Sequence, residues 1–176
     1  MTIITFVDAW RKINPKFEAD ALALWEREGA MPDDNEAAAR VKQLALLAYE
    51  GDELVAITTA HVRVLERLRQ KFAFFRGIVS SSHRQQHLAI SMGKPVYDLV
   101  ETYALAHPEE NIAGLAAVVS SPVLGARPNP YPNGAGFVLI GYTPKGEQVR
   151  VSWFDHYRVP ANLSETFEQS QIRLQN

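Results

Sequence analysis

The stretch SSHRQQHLAI, residues 81–90, holds side chains whose types and spacing could bind a metal. His83 and His87 are four positions apart, and on a helix two histidines at this spacing share one face and can bind a divalent cation. Zinc enzymes with this spacing have a glutamate base directly after the first histidine, and Arg84 occupies that position here. A catalytic zinc also needs a third protein ligand, which no residue clearly supplies. We therefore predict no metal, and a metal-dependent hydrolase built on the two histidines remains an alternative.

The same stretch could instead bind an anion. The apolar run FAFFRGIVS predicts a buried strand that leads directly into a helix. The first N–H groups of a helix have no partners within the helix, so they present partial positive charge at the end of that strand. Arg84 adds a forked cation, and Ser81 and Ser82 offer hydroxyl groups or an N-cap. These residues predict a phosphate-binding site.

The elements that precede this site begin with a strand and a helix. TIITFVDAW alternates β-branched or aromatic residues with others, which predicts a strand. The next segment carries an apolar stripe at helical spacing, made by Phe17, Ala21, Leu24 and Trp25. Gly29 and Pro32 are expected to end this helix.

A second helix and a hairpin follow. Asp34 or Asn35 is expected to cap a helix over EAAARVKQLA. Two extended runs, 44–49 and 54–68, flank the turn at Gly51 and predict an antiparallel hairpin.

The elements after the hairpin complete a mixed sheet. FAFFRGIVS is expected at its centre, followed by a helix from about Ser82 that Pro95 should kink or divide. AGLAAVV predicts a parallel strand after a right-handed crossover, and a second hairpin follows a proline-rich segment. We predict an α/β (α+β) fold in a single domain over 1–160, with a polar C-terminal tail over 161–176 that could form a short helix.

Composition excludes several classes of protein. The 176 residues are 47% hydrophobic, enough for one substantial core, and the net charge of −2 argues against nucleic-acid binding. The chain has no cysteine, so disulfides and thiolate chemistry are excluded. No window is long and apolar enough for a membrane helix, and the first residues do not resemble a signal peptide. We expect a cytoplasmic protein without membrane partners.

The order of elements and the segment FFRGIVSSSHRQQHLAISM resemble the GCN5-related N-acetyltransferase (GNAT) family. The signature of that family, at the start of the helix after the fourth strand, is Arg or Gln, two variable residues, Gly, one residue, then Gly or Ala. Arg84 and Ala89 match its first and last positions, whereas His87 stands where the family usually has glycine. The resemblance extends from the first strand through VRVSWF.

This resemblance implies an acyl-CoA-dependent N-acyltransferase that moves an acetyl group from acetyl-CoA to an amine of a small molecule or peptide. It implies a splayed central sheet flanked by helices, with acetyl-CoA in a V-shaped cleft as co-substrate. Backbone groups near Ile78 and Val79 would bind the pantetheine arm. Backbone N–H groups would bind the pyrophosphate, and the residues implied are Arg84, Gln85, Gln86, His87, Leu88 and Ala89.

The resemblance also points to one candidate acid. Many family members protonate the leaving thiolate with a tyrosine after the fifth strand, and Tyr131 is the only tyrosine of the proline-rich segment. No general base is assigned. Four acids near the second helix could attract a cationic amine or only cap and solvate helix ends; these are Glu26, Asp33, Asp34 and Glu36.

Other functions and an oligomer are also considered. A non-catalytic module that binds acyl-CoA is the alternative, because His87 replaces the signature glycine. Ser80–Ser82 with Asp155 and His156 contain the residue types of a hydrolase triad, but no Gly-x-Ser-x-Gly elbow is present. The C-terminal strands could pair across a homodimer.

Overall fold

The computed structural model describes residues 3–31, 33–86, 88–120, 125–126, 129–130 and 136–160. The strands within them are β1 (Ile4–Asp8), β2 (Leu44–Glu50), β3 (Glu53–Leu65), β4 (Gln70–Val79), β5 (Ile112–Val119), β6 (Val138–Tyr142) and β7 (Gln148–Trp153). The α-helices are α1 (Pro15–Arg27), α2 (Asp34–Arg40), α3 (Leu88–Ser91) and α4 (Gly93–Ala106). The predicted polar tail, 161–176, lies outside the described residues.

The strands form one sheet in the order β1-β2-β3-β4-β5-β7-β6. β4 and β5 are parallel, and the other neighbouring strands are antiparallel. The two predicted hairpins are present as β2–β3 and β6–β7, and Gly51 (φ 59°) and Gly146 (φ 81°) make their turns. The chain returns from β4 to β5 through α4, as a parallel pair requires. The predicted mixed sheet covered by helices is confirmed, and β4 lies at its centre.

Helix α1 covers one face of this sheet. It begins at Asn14, whose side chain accepts a hydrogen bond from the Lys16 N–H at 3.0 Å, followed by Pro15 at the first helical position. The predicted apolar stripe is buried on β2 and β3, where Ala21, Leu24 and Trp25 pack with Leu47, Tyr49 and Ile57. A hydrogen bond of 2.9 Å from Arg27 to the Leu54 carbonyl fixes the end of α1 to β3.

Helix α2 has a different N-cap from the predicted one. The cap is Asp33 and not Asp34 or Asn35, because the Asp33 side chain accepts a hydrogen bond from the Glu36 N–H at 2.9 Å. The helix ends at Arg40, and a short 3-10 turn leads into β2. The predicted helical run through QLA was too long, since the residues that open β2 are buried in the sheet and tertiary burial outweighs helix propensity.

The segment after β4 covers the opposite face. It is divided into a 3-10 turn (Ser81–Gln86), α3 and α4, so the predicted helix is divided, but the break between α3 and α4 falls at Met92, three residues before Pro95. Pro95 is the third residue of α4, where its missing N–H leaves no helical bond unmade. The apolar stripe is buried, and Val96, Val100 and Ala104 pack with Ala73, Leu115 and Phe154. Among the described residues, no helix is both long and apolar enough to cross a membrane.

A polar contact joins the segment after β1 to the end of α4. Arg11 donates two hydrogen bonds to the Glu110 carboxylate, at 2.9 and 2.7 Å, and the Tyr103 hydroxyl donates another. Burial raises the pKa of Glu110, but the hydrogen bonds from Tyr103 and Arg11 outweigh burial and hold this pKa below its ordinary value. The folded state therefore stabilises the ionised carboxylate.

We expect Glu110→Gln to lower the free energy of unfolding by about 1 kcal/mol at pH 7, because the neutral amide loses the charge-assisted pair. A carboxylate with a lowered folded pKa stabilises the fold above its unfolded pKa, and this contribution is lost as the pH falls through the folded pKa. The difference between variant and wild type should therefore shrink below about pH 4. Urea unfolding at pH 7 and at pH 3 measures it, and an equal difference at both pH values would contradict the prediction.

Candidate functional site

Strands β4 and β5 pair along only part of their length. Residues 71–75 of β4 pair with residues 112–117 of β5. In the described pairing, β4 then continues through Arg76 to Val79 along β3 alone, while β5 continues to Val119 along β7. The two parallel strands therefore part at their carboxyl ends and leave a gap between them. This is the splayed sheet that the sequence resemblance implies.

The β4 wall of the gap presents the main chain of Val79. The Ser80 N–H donates to the Val55 carbonyl at 2.8 Å, so these two residues form a hydrogen-bonded pair of the antiparallel ladder. Alternation along the ladder then turns the main-chain groups of Val79 and Gly77 towards the gap, and those of Ile78 towards β3. Of the two residues assigned to the pantetheine arm, Val79 has the suitable orientation, and Gly77 suits this role better than Ile78.

Arg84 lies at the end of the gap and is bound to protein groups. Its Nε donates to the Val79 carbonyl at 3.2 Å, and its Nη2 donates to the Glu28 carboxylate at 3.0 Å. The Glu28 side chain, directly after α1, is only 5% exposed and also accepts a hydrogen bond from the Ser81 N–H at 3.0 Å. A buried carboxylate therefore holds both the arginine assigned to the pyrophosphate and the first main-chain donor of the turn after β4.

His83 belongs to a polar network beside Arg84. Its Nδ1 lies 2.8 Å from the hydroxyl oxygens of Ser80 and Ser82, and its Nε2 lies 3.3 Å from a Glu50 carboxylate oxygen. Both ring nitrogens thus have protein partners, and the ring links the ends of β4 and β2. Across the described residues, no group of three or more His, Asp or Glu side chains could hold a metal ion. His87, the other predicted ligand, lies outside the described residues.

The remaining residues assigned to the pyrophosphate lie at the start of the helical segment. Gln85 and Gln86 end the 3-10 turn, and Leu88 and Ala89 begin α3. The Leu88 side chain is buried in the core, so only its main chain is available to a ligand. Tyr131, the candidate acid, lies outside the described residues, as does most of the proline-rich segment.

A groove crosses the sheet face beneath α1 and α2. It consists of two adjoining depressions of about 160 and 200 Å³, an outer and an inner one, which share Arg40 of α2, Thr59 of β3 and Arg76 of β4. The outer depression is also lined by Glu36, Ala39, Gln43 and His61. The inner depression is also lined by Trp25, Ala30, Ile57, Gly77 and Ile78. Because Arg76 directly follows the last paired residue of β4, the groove lies beside the gap.

His61 is the imidazole of this groove. It lies on β3 opposite Phe74, and the two rings stack with centroids 5.9 Å apart. Burial lowers the pKa of His61, and the nearby cations Arg63 and Arg76 lower it further, so the ring is neutral at pH 7 and can accept a proton. The sequence gives no role to His61, because its pairing with β4 and its proximity to Arg76 are non-local.

Comparisons with known proteins concern the fold. By sequence, the chain matches no family model and no curated protein. Its structure is similar to FeeM, an N-acyl amino acid synthase from uncultured soil microbes, with a TM-score of 0.57 and 14% identity over 87% of this chain and 90% of that one. A bacterial toxin gives a TM-score of 0.53 and 15% identity over 89% of this chain and 93% of that one. A GNAT-family acetyltransferase from Streptococcus pneumoniae gives a TM-score of 0.48 and 15% identity over 85% of this chain and 96% of that one.

At these identities the similarity describes architecture and not chemistry. The sheet order, the parallel pair at its centre, the gap between β4 and β5 and the helical segment after β4 all agree with the sequence resemblance. The chain therefore shares the fold of FeeM, and this architecture is the one that the sequence resemblance to the GNAT family implies.

Proposed function

We propose that the protein is an acyl-CoA-dependent N-acyltransferase that moves an acetyl group from acetyl-CoA to the amine of a small molecule. The observation that carries this proposal is that the gap and the groove meet on β4, where Arg76 directly follows the last residue paired with β5. A thioester in the gap would end next to the groove, which has room for a second substrate. The two binding surfaces would then bring the reacting groups together.

The gap suits the pantetheine arm better than the turn suits the pyrophosphate. Main-chain groups of Gly77 and Val79 face the gap, and an extended ligand can hydrogen-bond to an exposed strand edge. The Ser81 N–H and Arg84, in contrast, are bound to Glu28. In our proposal, Arg84 leaves Glu28 and the Val79 carbonyl and binds a phosphate when acyl-CoA enters.

His61 is the base in the proposed reaction. Transfer forms the C–N bond and breaks the C–S bond of the thioester, so the amine loses a proton and the departing thiolate gains one. The neutral His61 ring, which lines the groove, takes the proton of the amine. Tyr131 stays the predicted donor to the thiolate.

Titration calorimetry with acetyl-CoA, followed by a thiol-release assay with a panel of small amines, tests this function. We expect binding in the micromolar range that a chelator does not change, and free thiol with at least one amine. Failure to bind acetyl-CoA would overturn the proposal. Binding without thiol release would favour the non-catalytic module, and activity lost to a chelator would favour the metal-dependent hydrolase.

Glu28→Gln is expected to tighten CoA binding by about tenfold, because it removes a negative charge near the proposed phosphate site and releases Arg84. The gain should shrink at high salt, since salt screens charge repulsion. Calorimetry at low and high salt measures both effects. Glu26→Gln is the matched control, because Glu26 is an exposed acid of the same helix end. Weaker CoA binding by the Glu28 variant would show that Glu28 positions Arg84 and does not compete with phosphate.

A further inference from the structure

The groove beneath α1 and α2 has an excess of positive charge. Among its described lining residues, the cations are Arg40 and Arg76 and the carboxylate is that of Glu36. Glu36 is paired with Arg40 and lies 4.0 Å from Arg76. His61 adds no charge at pH 7, because its pKa is lowered. Two cations against one carboxylate leave one positive charge in excess, which favours an anionic ligand.

The two guanidinium groups are close enough to bind one ligand. Both approach the same Glu36 carboxylate oxygen, since Arg40 is paired with it and Arg76 Nη1 lies 4.0 Å from it. The Arg76 side chain is 64% exposed, and its 4.0 Å separation from Glu36 is too long for a hydrogen bond. Within the described residues, no acceptor reaches this guanidinium with hydrogen-bond geometry, so its N–H donors are available to a ligand.

We propose that the acceptor amine also carries a carboxylate, as an α-amino acid does, and that Arg40 and Arg76 bind this carboxylate. The proposal rests on the acyl transfer proposed above and names the class of acceptor. A guanidinium group binds both oxygens of a carboxylate through two parallel charge-assisted hydrogen bonds. The Arg76 guanidinium and the Arg40 N–H groups that Glu36 does not occupy line one groove, and a cationic ammonium group could not accept hydrogen bonds from them.

The two ends of the groove fit the rest of an apolar amino acid. The large apolar residues that line the inner depression beside the arginines are Trp25, Ile57 and Ile78. Trp25 and Ile57 are almost fully buried, so the apolar surface open to the ligand side chain comes from the partly exposed Ile78 and from Ala30. His61 lies in the outer depression, and the strand register places it opposite Phe74. Phe74 is two residues from Arg76 on β4, so the positions of His61 and Arg76 are separated by roughly 7 Å along the strands. A carboxylate held by the arginines thus leaves the amine on the side of the base.

The acids near the groove do not favour a cationic acceptor. From the sequence, acids near the second helix, among them Asp33 and Glu36, could attract a cationic amine or only cap helix ends. In the structure, the Asp33 side chain caps α2 and Glu36 is paired with Arg40. Both carboxylates are therefore occupied within α2. The excess positive charge of the groove would repel a cationic amine that lacks an anionic group.

Titration calorimetry of L-leucine and L-leucinamide into the full chain tests the carboxylate site, since the two ligands share the amine and the side chain. We expect L-leucine to bind at least about tenfold more tightly, and Arg76→Gln to remove that difference. Arg63→Gln is the matched control. Arg63 loses the same charge on the neighbouring strand, but it is exposed and lies 3.8 Å from the ring centroid of Phe74, outside the groove. It should change either affinity by less than about twofold.

Each outcome separates this site from the transferase proposal. Equal affinities for the two ligands, no binding of L-leucine, or the same loss in both variants would overturn the carboxylate site. L-leucine binding that depends on Arg76, without thiol release from acetyl-CoA with any amine, would leave the site standing and overturn the transferase. Equal thiol release from acetyl-CoA with L-leucine and with L-leucinamide would leave the transferase standing and overturn the carboxylate site.

Discussion

Replacement of His61 by glutamine is expected to lower kcat by roughly two to three orders of magnitude with any amine that the proposed transferase accepts. Glutamine keeps a polar side chain of similar reach but cannot take a proton. The wild-type rate should fall as the pH drops through the lowered pKa of His61, because the protonated ring is no longer a base. The variant should lose this inflection, which steady-state rates between pH 5 and pH 8 would show.

Two controls separate proton transfer from a change in structure. Acetyl-CoA affinity should be the same in wild type and in His61→Gln, because the gap is built from main-chain groups of β4. His107→Gln, directly after α4 and outside the groove, should turn over like the wild type. A His61 variant with the wild-type kcat and pH profile would exclude His61 as the base.

The secondary structure could be predicted where apolar periodicity is local. The stripe of α1, the two hairpins and a division of the helix near Pro95 all follow from residues within one or two turns of each other. The parallel pair followed from the absence of a hairpin turn between β4 and β5. The cap of α2 was misplaced by one position because Asp33, Asp34 and Asn35 are all good N-cap residues, and only the backbone distinguishes them.

The contacts of the candidate site could not be predicted, because they join distant parts of the chain. Arg84 matches the family signature, but its partner Glu28 is 56 positions away in the sequence. The Glu28 carboxylate is negative, as a phosphate ligand would be. The two depressions of the groove likewise share one residue each from α2, β3 and β4. A motif fixes which residue types are present, whereas the fold decides which charges meet, and here it sets a carboxylate against the phosphate-binding arginine.

Gly114→Ala is expected to lower the free energy of unfolding by about 3 kcal/mol or more, because the added methyl group has no space. Gly114 lies on β5 opposite Trp153 of β7. A Cβ at this position would lie 2.1 Å from the Ser152 carbonyl oxygen and 2.9 Å from the Trp153 Cα. Both neighbours are main-chain atoms of a paired strand, so β7 must move away from β5 or the strand must bend. Urea unfolding monitored by tryptophan fluorescence measures the loss.

The same substitution at Gly93 isolates the steric cause. Gly93 opens α4, and a Cβ there would meet no heavy atom within 4 Å in the described structure. Gly93→Ala should therefore match the wild type or exceed it in stability by up to about 1 kcal/mol, since alanine favours helix. Because β5 also forms one wall of the gap, Gly114→Ala should weaken acetyl-CoA binding even where the protein stays folded. Equal stability of the two variants would show that β5 and β7 are not packed as closely as the structure places them.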